Sequence, residues 1–241
     1  MKPIQLNIDS LQHRIGQQII LQNINLNLDG FQAVTVLGPN GAGKSSLMKA
    51  MAGHFFCQSG TVLLNGIDSL KSRQEYLKMV GYMPESPLII SELTVIEQLQ
   101  LMANSKRITG HKQSIKHVVE ICQLEHVLNK RTQHLSLGFK QRLNLAQAIL
   151  NKPKLLIMDE PLNGLDPHLI IIFRNIINEL KKQTLIIMST HYLAEAQNIS
   201  DRILIMQNGQ LLDNIETDSS SHQHDIEKIY MQHTTPVGLD L

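Results

Sequence analysis

Residues 38 to 45 read GPNGAGKS, a run in which glycine, four free positions, glycine, lysine and a hydroxyl follow in order. That spacing carries meaning only between a strand and a helix. Both flanks are present. AVTVLG (Ala33–Gly38) is a short apolar run ending in glycine, and SSLMKAMAG after the lysine has helical character and closes at Gly53. Gly38, Gly41 and Gly43 let the backbone amides turn inward around a β-phosphate, with Pro39, Asn40 and Ala42 completing the cradle, and the helix adds its positive end. Lys44 is expected to reach the β and γ oxygens, Ser45 to hold Mg²⁺, and Ser46 to bond the α-phosphate. The competing reading is a glycine turn with a stray lysine.

The 241 residues are 42% hydrophobic, enough for a substantial core in one large domain or two intimate ones. A net charge of +1 gives no bulk attraction to nucleic acid or anionic lipid. Cys57 and Cys122 form no CxxC pair and read as reduced, small core residues. The start, MKPIQLNIDS, has neither a basic n-region nor an apolar h-region, so the chain is expected to remain inside the cell. Since no window approaches about 18 consecutive apolar residues, any membrane role requires another subunit.

Along the chain, IQLNI from Ile4 and ILQNINLNL from Ile20 alternate polar and apolar residues, the period of half-buried antiparallel strands. A small antiparallel β lobe is expected there. TVLLNGI (Thr61–Ile67) adds a strand and a turn at Asn65-Gly66. From Ser91 to about Asn151, Glu, Gln, Lys, His and Leu recur at helical spacing, which predicts a helical subdomain, placed at about 86–150. KLLIMDEP (Lys154–Pro161) and TLIIMST return to buried-strand patterns separated by the helical IIIFRNIINEL, and ILIMQNGQLLDN reads as a terminal hairpin. Strands alternating with helices predict an α/β fold with a mainly parallel sheet covered on both faces. The domain is expected over 1–217, followed by a polar tail, 218–241, holding a linker and one short helix.

Two further segments carry charge chemistry. LLIMDEP sets Asp159 and Glu160 at the exit of a buried strand, where an ionised carboxylate is costly without a cation or water. Asp159 fits the outer shell of Mg²⁺ and Glu160 the base that polarises the attacking water; the alternative is a capping pair for the next helix. In LSLGFKQR (Leu135–Arg142), Ser136 and Gly138 are expected to precede a helix whose free N–H groups make a second anion site. One triphosphate does not need two such sites in one chain, which suggests a nucleotide held between two copies.

The ordered set GPNGAGKS, LSLGFKQR, LLIMDEP, NGLD and STH resembles the nucleotide-binding subunit of an ABC transporter, over nearly everything from Ile4 to Leu212. The resemblance implies a P-loop NTPase in which two subunits pair head to tail. Ser136 and Gly138 of one subunit would then cap the γ-phosphate held by Lys44 of the other. It also implies that Gly164, Leu165 and Asp166 cross the interface, and that His191 hydrogen-bonds the γ-phosphate and reports its loss. ATP, Mg²⁺, a transmembrane permease subunit and a second nucleotide-binding subunit, a homodimer, are implied as cofactors and partners, at the cytoplasmic face of the membrane and without nucleic acid.

Two positions depart from the family's pattern. In GYMPESP the usual glutamine is Glu85, a variant similar to the ABC-2 type exporter subgroup, and its carboxylate is expected to contact Mg²⁺ or water. The aromatic residue that stacks on adenine aligns with Ile15, which removes about 0.5 to 1.5 kcal/mol of π contribution and predicts weaker, less selective base binding. In the tail, His222, His224 and Asp225 admit a transition-metal reading beside that of a polar linker. Transport, probed at the permease-facing groove around Glu85, is the leading function. A soluble ABC ATPase acting on nucleic acid or ribosomes, and a subunit that binds nucleotide without turning it over, are the alternatives; one uninterrupted cassette at near-neutral charge disfavours the first, and the intact Lys44, Asp159, Glu160 and His191 disfavour the second.

Overall fold

The computed structural model describes residues 3–217 and 223–234. Ten strands and eight helices follow in chain order among them: β1 (Gln5–Ile15), β2 (Gln18–Asp29), β3 (Ala33–Leu37), α1 (Lys44–Met51), β4 (Ser59–Leu64), β5 (Ile67–Asp68), α2 (Arg73–Met79), β6 (Val80–Met83), α3 (Val95–Ser105), α4 (His111–Cys122), α5 (Leu137–Ile149), β7 (Leu155–Met158), α6 (Pro167–Leu180), β8 (Leu185–Thr190), α7 (Leu193–Ile199), β9 (Arg202–Gln207), β10 (Gln210–Glu216) and α8 (Gln223–Thr234).

A six-stranded sheet runs β10-β9-β3-β8-β7-β6, and a second, four-stranded sheet runs β2-β1-β4-β5. Within the larger sheet β9, β3, β8, β7 and β6 are all parallel, with β10 antiparallel at one edge. The smaller sheet is wholly antiparallel. Strands β3, β7 and β8 are buried along their full length, as unbroken apolar runs demand of a sheet covered on both faces. Alternation then sorts the side chains. Leu155 and Ile157 join α1 and the antiparallel sheet in one core, while Leu156 and Met158 join α3, α4, α5 and α6 in the other. The result is three layers, with α3, α4 and α5 inserted between β6 and β7.

Several details depart from the expectations. α3 begins at Val95, where Thr94 closes a capping box with Glu97 whose Oε2 accepts from the Thr94 N–H at 2.8 Å. α2 was not anticipated at all. Gly138 lies inside the first turn of α5 rather than before it, since Ser136 is the N-cap and its Oγ accepts from the Phe139 N–H at 3.5 Å. Cys122 is buried as expected, whereas Cys57 is only half-buried. Of the tail cluster, His222 and the side chains of His224 and Asp225 lie outside the described residues. No described helix is long and apolar enough to cross a membrane.

Candidate nucleotide site

Because the core strands are parallel, the chain leaves β3, β6, β7 and β8 along one edge of the sheet, and the loops that follow meet there. They line a cleft of about 510 Å³ formed by Asn40, Gly41, Gly43, Lys44, Ser45 and Ser46, with Glu85, Glu160, Asn163 and His191 opposite and Gln18 and Ile20 at one side. Gly43 caps α1 at φ +103, a conformation that L side chains rarely adopt, and from it the chain enters the helix with Lys44 as its first residue. Lys44 is buried, and its Nζ donates to the carbonyls of Gly38 at 2.8 Å and Pro39 at 3.2 Å.

The two carboxylates at the end of β7 divide their partners. Asp159 accepts at Oδ1 from Ser45 Oγ at 3.1 Å and from Ser189 Oγ at 2.7 Å, and is 2% exposed. No lysine or arginine pairs with it among the described residues. Glu160 faces the cleft between two basic groups, Lys44 Nζ at 3.4 Å from Oε1 and His191 Nδ1 at 3.1 Å from Oε2. It reaches them from a left-handed backbone, φ +45, a conformation that costs about 1–2 kcal/mol for an L residue. Ser189, at the end of β8, holds that backbone: its Oγ accepts from the Glu160 N–H at 2.8 Å while donating to Asp159. Sequence reasoning did not single out Ser189; its signal was a small polar residue in an otherwise apolar strand, directly before Thr190 and His191.

Asp159 is a buried carboxylate with two hydroxyl donors and no cationic partner among the described residues, a donor set suited to a hard divalent cation. No group of three His, Cys, Asp or Glu is close enough to hold a metal among the described residues. The fit is therefore to an ion such as Mg²⁺ that keeps water and phosphate oxygens in its shell. Glu85 stands across the cleft, its Oε1 accepting from Asn163 Nδ2 at 3.4 Å. Tyr82, in β6 beside Ile157, packs edge-on to His54 at 4.5 Å between ring centroids. Its buried Oη finds no partner among the described residues. Burial pushes its phenol far up, and the charges of Asp159 and Glu85 add to this. Around His191, the Tyr192 ring lies 3.9 Å away, and Thr190 Oγ1 donates to Glu195 at 3.1 Å. Burial raises the Glu195 carboxyl, opposed by that hydrogen bond and reinforced by Glu160.

The structure thus brings Lys44, Ser45, Ser46, Glu85, Asp159, Glu160 and His191 together around one cleft. Ile15 is not among its lining residues: it stands at the β1–β2 turn, paired with Gln18 and 63% exposed, while Gln18 and Ile20 reach the cleft wall. Ser136 and Gly138 do not line it either. They pack instead beside Gly164 and α6. A Cβ on Gly138 would meet Leu169 Cδ1 at 2.3 Å, one on Gly164 would lie 3.3 Å from Leu137, and Asp166 caps α6 by accepting from the Leu169 N–H at 3.0 Å.

The sequence matches the family model described as ABC transporter over residues 21–163. It is 37% identical to the bacitracin transport ATP-binding protein BcrA of Bacillus licheniformis, covering 84% of this chain and 67% of that one. Identity to the lantibiotic transport ATP-binding protein SrtF of Streptococcus pyogenes is 32%, over 92% of this chain and 95% of that one. Among solved structures, an ATP-binding subunit of an ABC transporter superposes with a TM-score of 0.82 at 28% identity, covering 94% of this chain and 98% of that one. A strand-flanked phosphate cradle, paired carboxylates at the next buried strand and these likenesses lead to one assignment: the chain belongs to the ABC transporter family, as an ATPase that is the ATP-binding subunit of such a transporter.

Proposed function

We propose that this subunit hydrolyses ATP with Mg²⁺ in a head-to-tail pair and drives a separate transmembrane permease from the cytoplasmic face of the membrane. The observation that carries the reading is the placing of Glu160 between Lys44 and His191, at 3.4 and 3.1 Å, beside an Asp159 already bonded to Ser45. Lys44 and His191 are the groups that a γ-phosphate would engage, and Glu160 borders the space where water would attack. The Glu160 carboxylate accepts a proton from that water as its oxygen bonds to the γ-phosphorus; the bond to the β–γ bridging oxygen breaks, and ADP and inorganic phosphate leave. Ser45 and Asp159, with Glu85 near, would hold Mg²⁺, which when bound would supply charge neutralisation at the phosphate oxygens.

Pairing is supported by what the cleft lacks. The helix start at Ser136 is a second anion site, yet it does not line the cleft that contains Lys44. A second copy brings one start to each cleft. The likeness to relatives named for bacitracin and lantibiotic transport supports a peptide antibiotic as the cargo of the permease, and the resemblance of the Glu85 segment to the ABC-2 type exporter subgroup supports outward movement. The loop around Glu85 and the helices α3 to α5 would receive the permease, and Glu85→Ala is expected to uncouple hydrolysis from transport.

The test is Mg²⁺-dependent ATP hydrolysis by the purified chain beside Glu160→Gln, with size exclusion in ATP. The parent is expected to turn over, and the variant to lose hydrolysis by about 10³-fold or more while forming an ATP-dependent dimer. A variant as active as the parent overturns the base assignment. An ATP-loaded variant that stays monomeric with its permease present overturns the pairing.

A further inference from the structure

Parallel strands give the large sheet two unlike edges. The nucleotide cleft lies where the chain leaves β3, β7 and β8, and a second cleft, of about 390 Å³, lies where it enters them. That volume is within the range of small-molecule sites, about 300–1,000 Å³. From Lys154 to Asp159 the two clefts are about 16 Å apart at the rise of a parallel strand, about 3.3 Å per residue. The floor of the second is apolar. Ile149, Leu156 and Leu180, all buried, belong to the core shared by α4, α5 and α6, and the 39% exposed Phe31 and half-buried Ile121 line the cleft with them.

The charge around this floor has one sign. Lys152 and Lys154 line the cleft with His117, and no aspartate or glutamate does among the described residues. Neither lysine side chain has an ion-pair or hydrogen-bond partner among the described residues. The loop that carries them is nonetheless fixed by its main chain. Lys152 has a left-handed φ of +49 and donates its N–H to the Ile149 carbonyl at 2.9 Å, and the Lys154 N–H donates to the Met79 carbonyl at 2.8 Å. The Lys154 carbonyl accepts from the Leu185 N–H at 3.0 Å, and Thr184 Oγ1 donates to the Pro153 carbonyl at 3.3 Å. His117 and Lys152 also line an adjoining polar recess of about 570 Å³, in which Glu120 faces Lys116 at 3.9 Å. The cleft is therefore basic and polar at one end and apolar along its floor. Such a surface suits an anion with an apolar body, which shields the hydrocarbon from water and offsets the like charges.

We propose that this cleft binds a single-chain anionic amphiphile, a fatty acid, with its carboxylate at Lys152 and Lys154 and its alkyl chain over Leu156, Leu180 and Phe31. A peptide strand is a poorer fit, because the main-chain groups of the loop are already paired with Ile149, Met79, Thr184 and Leu185 and offer a peptide backbone no ladder. The site belongs to the single chain and depends neither on pairing nor on transport.

The experiment is calorimetry on the full chain with dodecanoate held below its micelle concentration, beside decanoate and dodecyltrimethylammonium. Saturable binding of dodecanoate is expected, about tenfold weaker for decanoate, since each methylene is worth about fourfold, and about tenfold weaker for the cation. Lys152→Glu combined with Lys154→Glu should weaken dodecanoate by about tenfold or more, and Phe31→Gln by about fivefold. Both variants change exposed residues far from the nucleotide, so MgATP binding should stay at the parental value and report that each is folded. No saturable binding of dodecanoate overturns the proposal, as does equal binding of the cation or indifference to both variants. Binding confined to vesicles of anionic phospholipid, with none to dodecanoate, overturns it in favour of a membrane surface.

Discussion

Ser189→Ala probes the site at a residue that touches neither ATP nor Mg²⁺ in the proposed mechanism. Its hydroxyl is fully buried and serves twice, donating to Asp159 at 2.7 Å and accepting from the Glu160 N–H at 2.8 Å. Loss of a hydrogen bond to a charged acceptor costs about 1.5–3 kcal/mol, and a stranded buried N–H about 1–3 kcal/mol. The two share one network, so the joint cost is about 2–4 kcal/mol rather than their sum. With a urea slope of about 3 kcal/mol/M, the unfolding midpoint falls by about 1 M. Alanine also removes the tether of the left-handed Glu160 backbone. If about 1.4–2.7 kcal/mol of the loss falls on the transition state, kcat drops about 10- to 100-fold. KM for ATP should hold, because Lys44 keeps its bonds to Gly38 and Pro39. The assay pairs urea unfolding with steady-state hydrolysis. A midpoint within about 0.2 M of the parent, together with kcat within about twofold, would refute the claim that Ser189 organises the two carboxylates.

Burial lowers the Lys106 ammonium to about 8 from 10.5, with its Nζ directed at the Gln147 carbonyl and Asn151 Oδ1. The unfolded chain therefore binds more protons at this site between those values, so the stability of the parent relative to Lys106→Met should rise from about pH 8 to about 10.5 by on the order of 3 kcal/mol in paired urea titrations, the opposing contribution of the buried thiols cancelling in the difference. Burial pushes the Cys57 thiol up to about 11 and Cys122 higher still, so native protein at pH 8 should react slowly with a disulfide reagent and rapidly once unfolded; fast native labelling of Cys57 would contradict the burial account. Ile15→Tyr should tighten ATP binding about two- to tenfold by adding a stacking face, as read by calorimetry. No change there would transfer base recognition to the cleft wall at Gln18 and Ile20.

The phosphate cradle was legible because it is local: every group it needs lies between Gly38 and Ser46, and its strand and helix adjoin it. The same holds for the carboxylates at the end of LLIMDEP, since two acids closing a buried run call for a cation, water or a helix end beside them. The order β10-β9-β3-β8-β7-β6 was not legible, because pairing between strands more than a hundred residues apart leaves no local mark. α2 was missed for a related reason: seven residues with a single buried side chain, Tyr76, carry almost no periodicity. Ser189 was hidden differently. It is polar where burial is expected, and only the fold reveals the N–H and carboxylate that satisfy it.

The left-handed backbone at Glu160 sets heat resistance and turnover in opposition at one codon. Glycine there would relax the peptide and favour the native state, at the loss of the side chain that makes hydrolysis possible. Laboratory evolution scored on thermal survival alone would therefore drift toward inert cassettes through this position, whereas selection that demands both properties must find its gains elsewhere in the molecule.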